Sequence, residues 1–409
     1  MEASLIVLPH NKIQRIVWAL LFLFPIFSMA VDLVAPSLPA ISADLHVSDT
    51  VAKNVISFYL LGYAFGNFFT GFLADAWGRQ KLLRLGLLGF IIASLIPVFS
   101  HGIDLLFLSR LLQGIAIGAV SVLARAMFSD VLPAEKLTSL GTLIGTMWGL
   151  GPIFGPVIGG YLQFYFGWQA GFVFFALIAL IGLITIWIVV PETHFKCHPL
   201  HIKTIKKNIC EVMSHRLFMA LVILMGLTYS LLITFNIAGP FLIQTVLHHS
   251  PVFFGHMALS IGIVFLASTF TCRYLLKKYR VESLLFYAIM ISFIGVLFSV
   301  VLSFIFEKST LFLMVFSGLM FFSCGFIFPM SMGRGISLFR HIAGTATALM
   351  YLIQILMTSV FSFFVSLIRV ENNTDIMLMY FILLFCAAAV YWGMIRGNAT
   401  NKHGRFSRQ

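Results

Sequence analysis

Apolar residues run along this chain in long blocks, and polar residues are pushed into the connections between them. A block of about 20 mainly apolar residues is long enough to cross the hydrocarbon core of a bilayer as a helix. Twelve such spans are predicted, at 13–40, 52–74, 82–100, 104–127, 138–162, 170–190, 217–243, 252–274, 283–305, 310–332, 342–368 and 376–396. The connections are short, apart from one stretch at 191–216 that divides the spans into two sets of six. The expected fold class is an all-α membrane protein: a six-helix bundle at 1–190, a cytoplasmic linker at 191–216 and a second six-helix bundle at 217–409. The first apolar run has no small-residue cleavage site after it, so it reads as a span and not a removed leader.

Composition sharpens this picture. Of 409 residues, 60% are hydrophobic and 10% charged, against about 25% charged in a soluble domain. That excludes an ordinary soluble enzyme, a disordered chain and a nucleic-acid-binding module. The net charge of +12, from 26 Lys and Arg against 14 Asp and Glu, is distributed by side. With the N-terminus in the cytoplasm, 22 cations fall in cytoplasmic segments and three, Lys53, Lys308 and Arg369, in exterior loops. Such asymmetry is the mark of positive-inside topology, and it predicts that both termini are cytoplasmic. The five cysteines, Cys197, Cys210, Cys272, Cys324 and Cys386, fall on the cytoplasmic side or within spans, so no disulfide framework is expected.

Few polar groups remain to carry chemistry. The linker holds His194, His198, His201 and His215 with Cys197. Their spacing could suggest a metal, but a structural site needs a closed tetrahedral set on a defined scaffold, and the stretch reads as a solvated interfacial linker. Asp32 is the one acidic residue placed well inside a span, and Arg110 the one cation. An apolar surrounding disfavours the charged form of a carboxylate, so Asp32 can hold or release a proton as the water around it changes. Intramembrane charges usually face a cavity, and Arg110 lies about 9 Å deeper than Asp104 at 1.5 Å per residue. No phosphate-binding loop, G-x-S-x-G or H-E-x-x-H is present, so ATP-driven transport and membrane hydrolysis both lack parts.

Several segments resemble one family. Gly71-Phe-Leu73-Ala-Asp75-Ala-Trp-Gly78-Arg79-Gln-Lys81, between the second and third spans, resembles the G-x-L-a-D-r-x-G-R signature of the major facilitator superfamily, with Ala76 where that family usually has a basic residue. Arg110-Leu-Leu-Gln113-Gly114 resembles its R-x-x-Q-G, and Pro191-Glu192-Thr193 its P-E-T. Gly151-Pro152-x2-Gly155-Pro156-x2-Gly159-Gly160 in the fifth span resembles the G-x3-G-P-x2-G-G of proton-coupled exporters in the superfamily. Its glycines share one helix face and permit close approach of a neighbour, while each proline removes a backbone donor. Asp32-x3-Pro36-x-Leu38-Pro39-x-Ile41, Ala124-Arg125-Ala126-x2-Ser129-Asp130 and Ala343-Gly344-Thr345-Ala346-x-Ala348-Leu349 with Gln354 resemble the bicyclomycin/chloramphenicol-resistance branch of the drug:proton antiporters, with Ser129 replacing an arginine. The resemblance covers residues 27–354.

It implies a proton-coupled exporter of the bacterial inner membrane, a monomer without cofactor, energised by the proton gradient and working on small amphipathic molecules. It further implies a proton site of Asp32 with Arg110, a cytoplasmic gate of Asp75, Gly78, Arg79, Arg125 and Asp130, and a rocking helix built on Gly151, Gly155, Pro156, Gly159 and Gly160. A central cavity would be lined by Tyr59, Tyr63, Gln113, Trp148, Tyr229, Asn236 and Gln354. A symporter or facilitator importing a nutrient would share the fold; the helix-five glycines and Asp32 argue for export. A membrane sensor or polytopic enzyme is the third reading, and it would need a polar cluster at one membrane face.

Overall fold

The computed structural model describes residues 9–99, 102–132, 134–193, 202–339 and 342–396. These are almost wholly helical. The first span, α1, is built from His10–Leu21, Leu23–Asp32 and Leu38–Asp44, joined by a turn at Phe22 and a 3-10 turn at Ala35–Ser37. It is followed by α2 (Asp49–Trp77), α3 (Arg79–Phe99), α4 (Ile103–Val131), α5 (Ala134–Phe166) and α6 (Gln169–Val189). Then come α7 (Ile202–Met213), α8 (Arg216–Pro240, extended as a π-helix over Phe241–Val246), α9 (Pro251–Leu275), α10 (Val281–Ser303), α11 (Thr310–Ser337), α12 (Ala343–Leu367) and α13 (Asn373–Val390). Among the described residues, ten helices are long and apolar enough to cross a membrane. The long α2 and α5, 29 and 33 residues, stand where the second and fifth spans are expected.

Prolines explain where α1 breaks. A proline has no N–H for the carbonyl four residues back and its ring crowds that carbonyl. Pro25 does this to Leu21, and the helix breaks at Phe22; Pro36 does it to Asp32, where the second piece ends. The C-terminal end of α1 is tied by Ser42 Oγ donating to Asp49 Oδ1 at 2.8 Å and Trp168 Nε1 donating to Asp44 Oδ2 at 2.8 Å. Ser48 caps α2 by accepting from Val51 N.

The chain divides into two compact units, Met1–His201 with Ser250–Leu259, and Ile202–His249 with Ser260–Gln409. The division falls inside the predicted linker, and that linker holds a helix the hydropathy did not mark. α7 places Ile209 and Val212 on one face of a sequence rich in lysine, and Val212 is fully buried. At 12 residues it is too short to span.

In the first unit, α2 and α4 cross at backbone contact. A Cβ on Gly62 or Gly66 would collide with the carbonyls of Leu111 or Ile115, and one on Gly114 or Gly118 with those of Tyr59 or Tyr63. Small residues spaced by four let helices close without a water-driven force between them. The opposite faces look outward: Leu85, Leu88, Ile92, Leu95 and Phe99 form an exposed stripe along α3. In a bilayer such a stripe meets acyl chains, which a helix tolerates because it satisfies its main-chain polar groups within the protein.

Candidate functional site

The close α2–α4 crossing gathers the buried polar groups of the first unit. Arg110 on α4 is fully buried. Its Nη2 donates to Ala30 O at 2.9 Å, its Nε to Val55 O at 3.2 Å and its Nη1 to Gln113 Oε1 at 2.9 Å. The guanidinium lies 4.3 Å from the centre of the Tyr59 ring, a cation–π contact that gains strength where water is excluded. The planar five-donor fork suits this set of separate acceptors in a way a point cation would not. Gln113 is spent on this network, since its Nε2 donates to Ser94 Oγ at 2.7 Å.

Asp32 sits at the broken end of the second piece of α1, 5% exposed. It is the only buried carboxylate among the described residues. Ala30, which accepts from Arg110, is two residues before it, so the two charged residues are joined through the α1 backbone. The face of α5 closes the other side. A Cβ on Gly151 would collide with Ser28, one on Gly155 would stand 3.0 Å from Asp32 Cβ, and one on Gly159 would collide with the Leu33 carbonyl. Three glycines of the helix-five motif thus lie against Ser28–Leu33. Within the same unit, Gly160 lies against Pro251, and Gly255 against Pro156 and Val157.

About three turns beyond Arg110 along α4, Ser121 ties three side chains: Tyr63 Oη at 3.1 Å, Asn67 Nδ2 at 3.2 Å and Arg125 Nη2 at 3.2 Å. The Tyr63 ring lies 6.3 Å from Tyr59 and 6.4 Å from Trp148.

The α2–α3 turn is a second cluster. Gly78 has φ +85°, a conformation that strains other residues. Arg79 pairs with Asp130 on α4 and donates to Ala126 O at 2.8 Å. Asp130 Oδ2 accepts from Thr193 Oγ1 at 2.7 Å. Glu192 accepts from the backbone N–H groups of Arg79 and Gln80, both at 3.1 Å, where the first turn of α3 leaves donors open and its dipole favours a carboxylate. The P-E-T segment after α6 is therefore part of this cluster, a role its sequence alone did not give. The side chain of Asp75 lies outside the described residues, as does the stretch His194–His201. His215 caps α8, its Nδ1 accepting from Phe218 N at 3.3 Å.

The second unit has no buried carboxylate among the described residues. Tyr229 and Asn236 stand on α8, and Gln354 on α12. Tyr229 is half-buried beside Phe328, with ring centres 6.2 Å apart. Asn236 and Gln354 are buried, and Gln354 Oε1 has no hydrogen-bond partner among the described residues. α8 and α12 meet at Gly226, whose carbonyl accepts from Ser230 at 2.7 Å and from Thr358 at 3.4 Å.

Two sets of residues escaped the sequence reading. Lys53, assigned there to an exterior loop, stands in the second turn of α2 and is 1% exposed; Ser48 starts the helix earlier than hydropathy does. Gly62-x3-Gly66 and Gly114-x3-Gly118 were readable as small-residue packing motifs.

Compared with known proteins, residues 20–362 match the sequence model of the Major Facilitator Superfamily. A bicyclomycin resistance protein homolog of Haemophilus influenzae is 25% identical over 268 residues, 65% of this chain and 67% of that one. The multidrug resistance protein MdtL of Shewanella oneidensis is 24% identical over 359 residues, 86% of this chain and 89% of that one. The crystal structure of a D-xylose-proton symporter is similar with a TM-score of 0.78, over 94% of this chain and 98% of that chain, at 15% identity. The identity is low enough that this last likeness speaks for the fold alone.

Proposed function

Because this chain belongs to the Major Facilitator Superfamily, and so is a multi-pass membrane transporter and not an enzyme, we propose that it is a proton-coupled exporter of small amphipathic molecules. The observation that carries this reading is Asp32: the only buried carboxylate among the described residues, at a proline-made break in α1, with Gly155 of α5 against it. Drug-resistance names among the relatives support export.

In the proposed cycle Asp32 takes a proton from the exterior in the outward state and releases it inside as substrate binds. A solute moves in one direction when its affinity differs between two states. The break at Asp32 and the glycine face of α5 give the two helices room to shift against each other without losing side-chain packing. Arg110 holds the α1 backbone two residues away, so a displacement of that backbone alters the positive charge felt at Asp32. The Arg79–Asp130–Thr193 and Glu192–α3 contacts form the gate proposed for the cytoplasmic side. Within the first unit Tyr63 and Trp148 bring aromatic faces together, and within the second Tyr229, Asn236 and Gln354 supply one aromatic and two sparse polar groups; each set suits contact with a largely apolar ligand. The transporter works as a monomer in the bacterial inner membrane, with the proton gradient as its energy source.

Reconstitution in liposomes with an interior pH dye tests this. A gradient of a lipophilic drug such as chloramphenicol is expected to drive proton movement in the wild type and none in Asp32→Asn. Solute movement without protons in the wild type would replace export by facilitated diffusion, and protons moving with the solute would replace it by import through symport.

A further inference from the structure

Outside the buried network, α1 and α6 enclose a groove of about 600 Å³ lined by Asn11, Gln14, Arg15, Trp18, Ala19, Phe22, Ile181, Thr185 and Val189. Its shape follows from the same α1 break. Gly182 lets α6 come so near α1 that an added Cβ would stand 3.0 Å from Leu23 Cδ2. From there the helices diverge toward the chain's N-terminal end. The lining is graded along that direction. Phe22 and Ile181 lie at the deep end, Trp18 one turn further out, and Arg15, Gln14 and Asn11 at the mouth. Arg15 and Phe22 are separated by about 10 Å at 1.5 Å per helical residue.

Arg15, Trp18, Phe22 and Ile181 are all exposed. Among the described residues no acidic residue lines the groove and Arg15 has no ion-pair partner. A second aromatic, Trp187 on α6, is 65% exposed, with the Arg84 guanidinium 4.7 Å over its ring. Tryptophans and snorkelling cations mark the level of the membrane interface. The groove therefore presents a cation at headgroup depth, an indole at ester depth and apolar walls at acyl depth.

We propose that this groove seats one anionic glycerophospholipid of the leaflet on the N-terminal side. Its phosphate binds the Arg15 guanidinium, its glycerol esters lie beside the Trp18 indole, and one acyl chain runs along Ala19, Phe22 and Ile181. Arginine suits phosphate because its fork donates two parallel hydrogen bonds, and basic recesses between membrane helices hold anionic headgroups. A neutral or zwitterionic headgroup gains less from an unopposed cation. The assignment is independent of whether transport is coupled to protons.

Native mass spectrometry of the full-length protein, with dioleoylphosphatidylglycerol or dioleoylphosphatidylcholine added at equal concentration, tests it. The wild type is expected to retain a first phosphatidylglycerol under activation that strips phosphatidylcholine. Arg15→Gln is expected to weaken that first lipid about fivefold, from roughly 1 kcal/mol for one cation at an anionic headgroup. Arg15→Lys keeps most of the affinity. Lys278→Gln, which removes an exposed cation of the second unit, leaves it unchanged. Inorganic phosphate in millimolar excess leaves the lipid bound, because the acyl chain is part of the fit. Equal retention of both lipids by the wild type, equal losses in Arg15→Gln and Lys278→Gln, or displacement by phosphate alone would overturn the proposal.

Discussion

At the scale of single residues, the first unit shows how a charge is held inside a membrane helix by neutral groups. Arg110 spends its fork on two main-chain carbonyls and one amide, and its face on the Tyr59 ring. Those carbonyls belong to α1 and α2, so one side chain joins three helices. Lysine can reach one of these acceptors but not all three. Arg110→Lys is expected to lower the unfolding free energy by about 1–3 kcal/mol, the scale of losing hydrogen bonds made by a charged group. Thermal unfolding of the purified protein in detergent measures it; an unchanged midpoint would mean that the fork is not what holds the three helices. Arg110 could be read from the sequence as an intramembrane charge. Its partners could not, because two are backbone atoms of residues 55 and 80 positions away.

At the scale of helices, glycine decides which pairs come within backbone contact. On α5, Gly155 faces Asp32 and Leu33 at distances that leave little room for a side chain, while Gly149 on the same helix has nothing within 4 Å of an added Cβ. Gly155→Ala is expected to cost about 1–3 kcal/mol through overpacking. Gly149→Ala is expected to be neutral or to stabilise by up to about 1 kcal/mol, since alanine is the better helix former. Melting curves of the two variants decide the matter, and equal effects would make the helix-five glycines generic small residues. The helical break at Asp32 was not foreseen, since hydropathy takes 13–40 as one span, although Pro36, four positions on, is its cause. α7 was not legible from hydropathy, which averages its apolar stripe together with its lysines.

At the scale of the whole molecule, charge fixes orientation. The proposed topology puts both termini and the 191–216 linker in the cytoplasm, and the α10–α11 connection outside. In a cysteine-free background, Lys308→Cys is expected to react with a membrane-impermeant maleimide added to intact cells. A cysteine replacing Lys207 is expected to react only after permeabilisation. The reverse pattern would invert the topology and with it the direction of transport.

The sequence by itself determined the class of the molecule. Its long apolar blocks require a bilayer, because they leave too few polar residues to cover a soluble surface. Its charge asymmetry predicts one orientation, and its glycine, proline and acidic motifs identify the family. These properties are local in the chain. Tertiary structure decided which backbone carbonyls solvate Arg110, that Gln113 is held by Ser94, that Glu192 caps α3, and that α1 and α6 part to leave a groove. None of these has a sequence signal, because a buried polar group must find its partner wherever another helix happens to present one, and hydropathy records only that the group is rare.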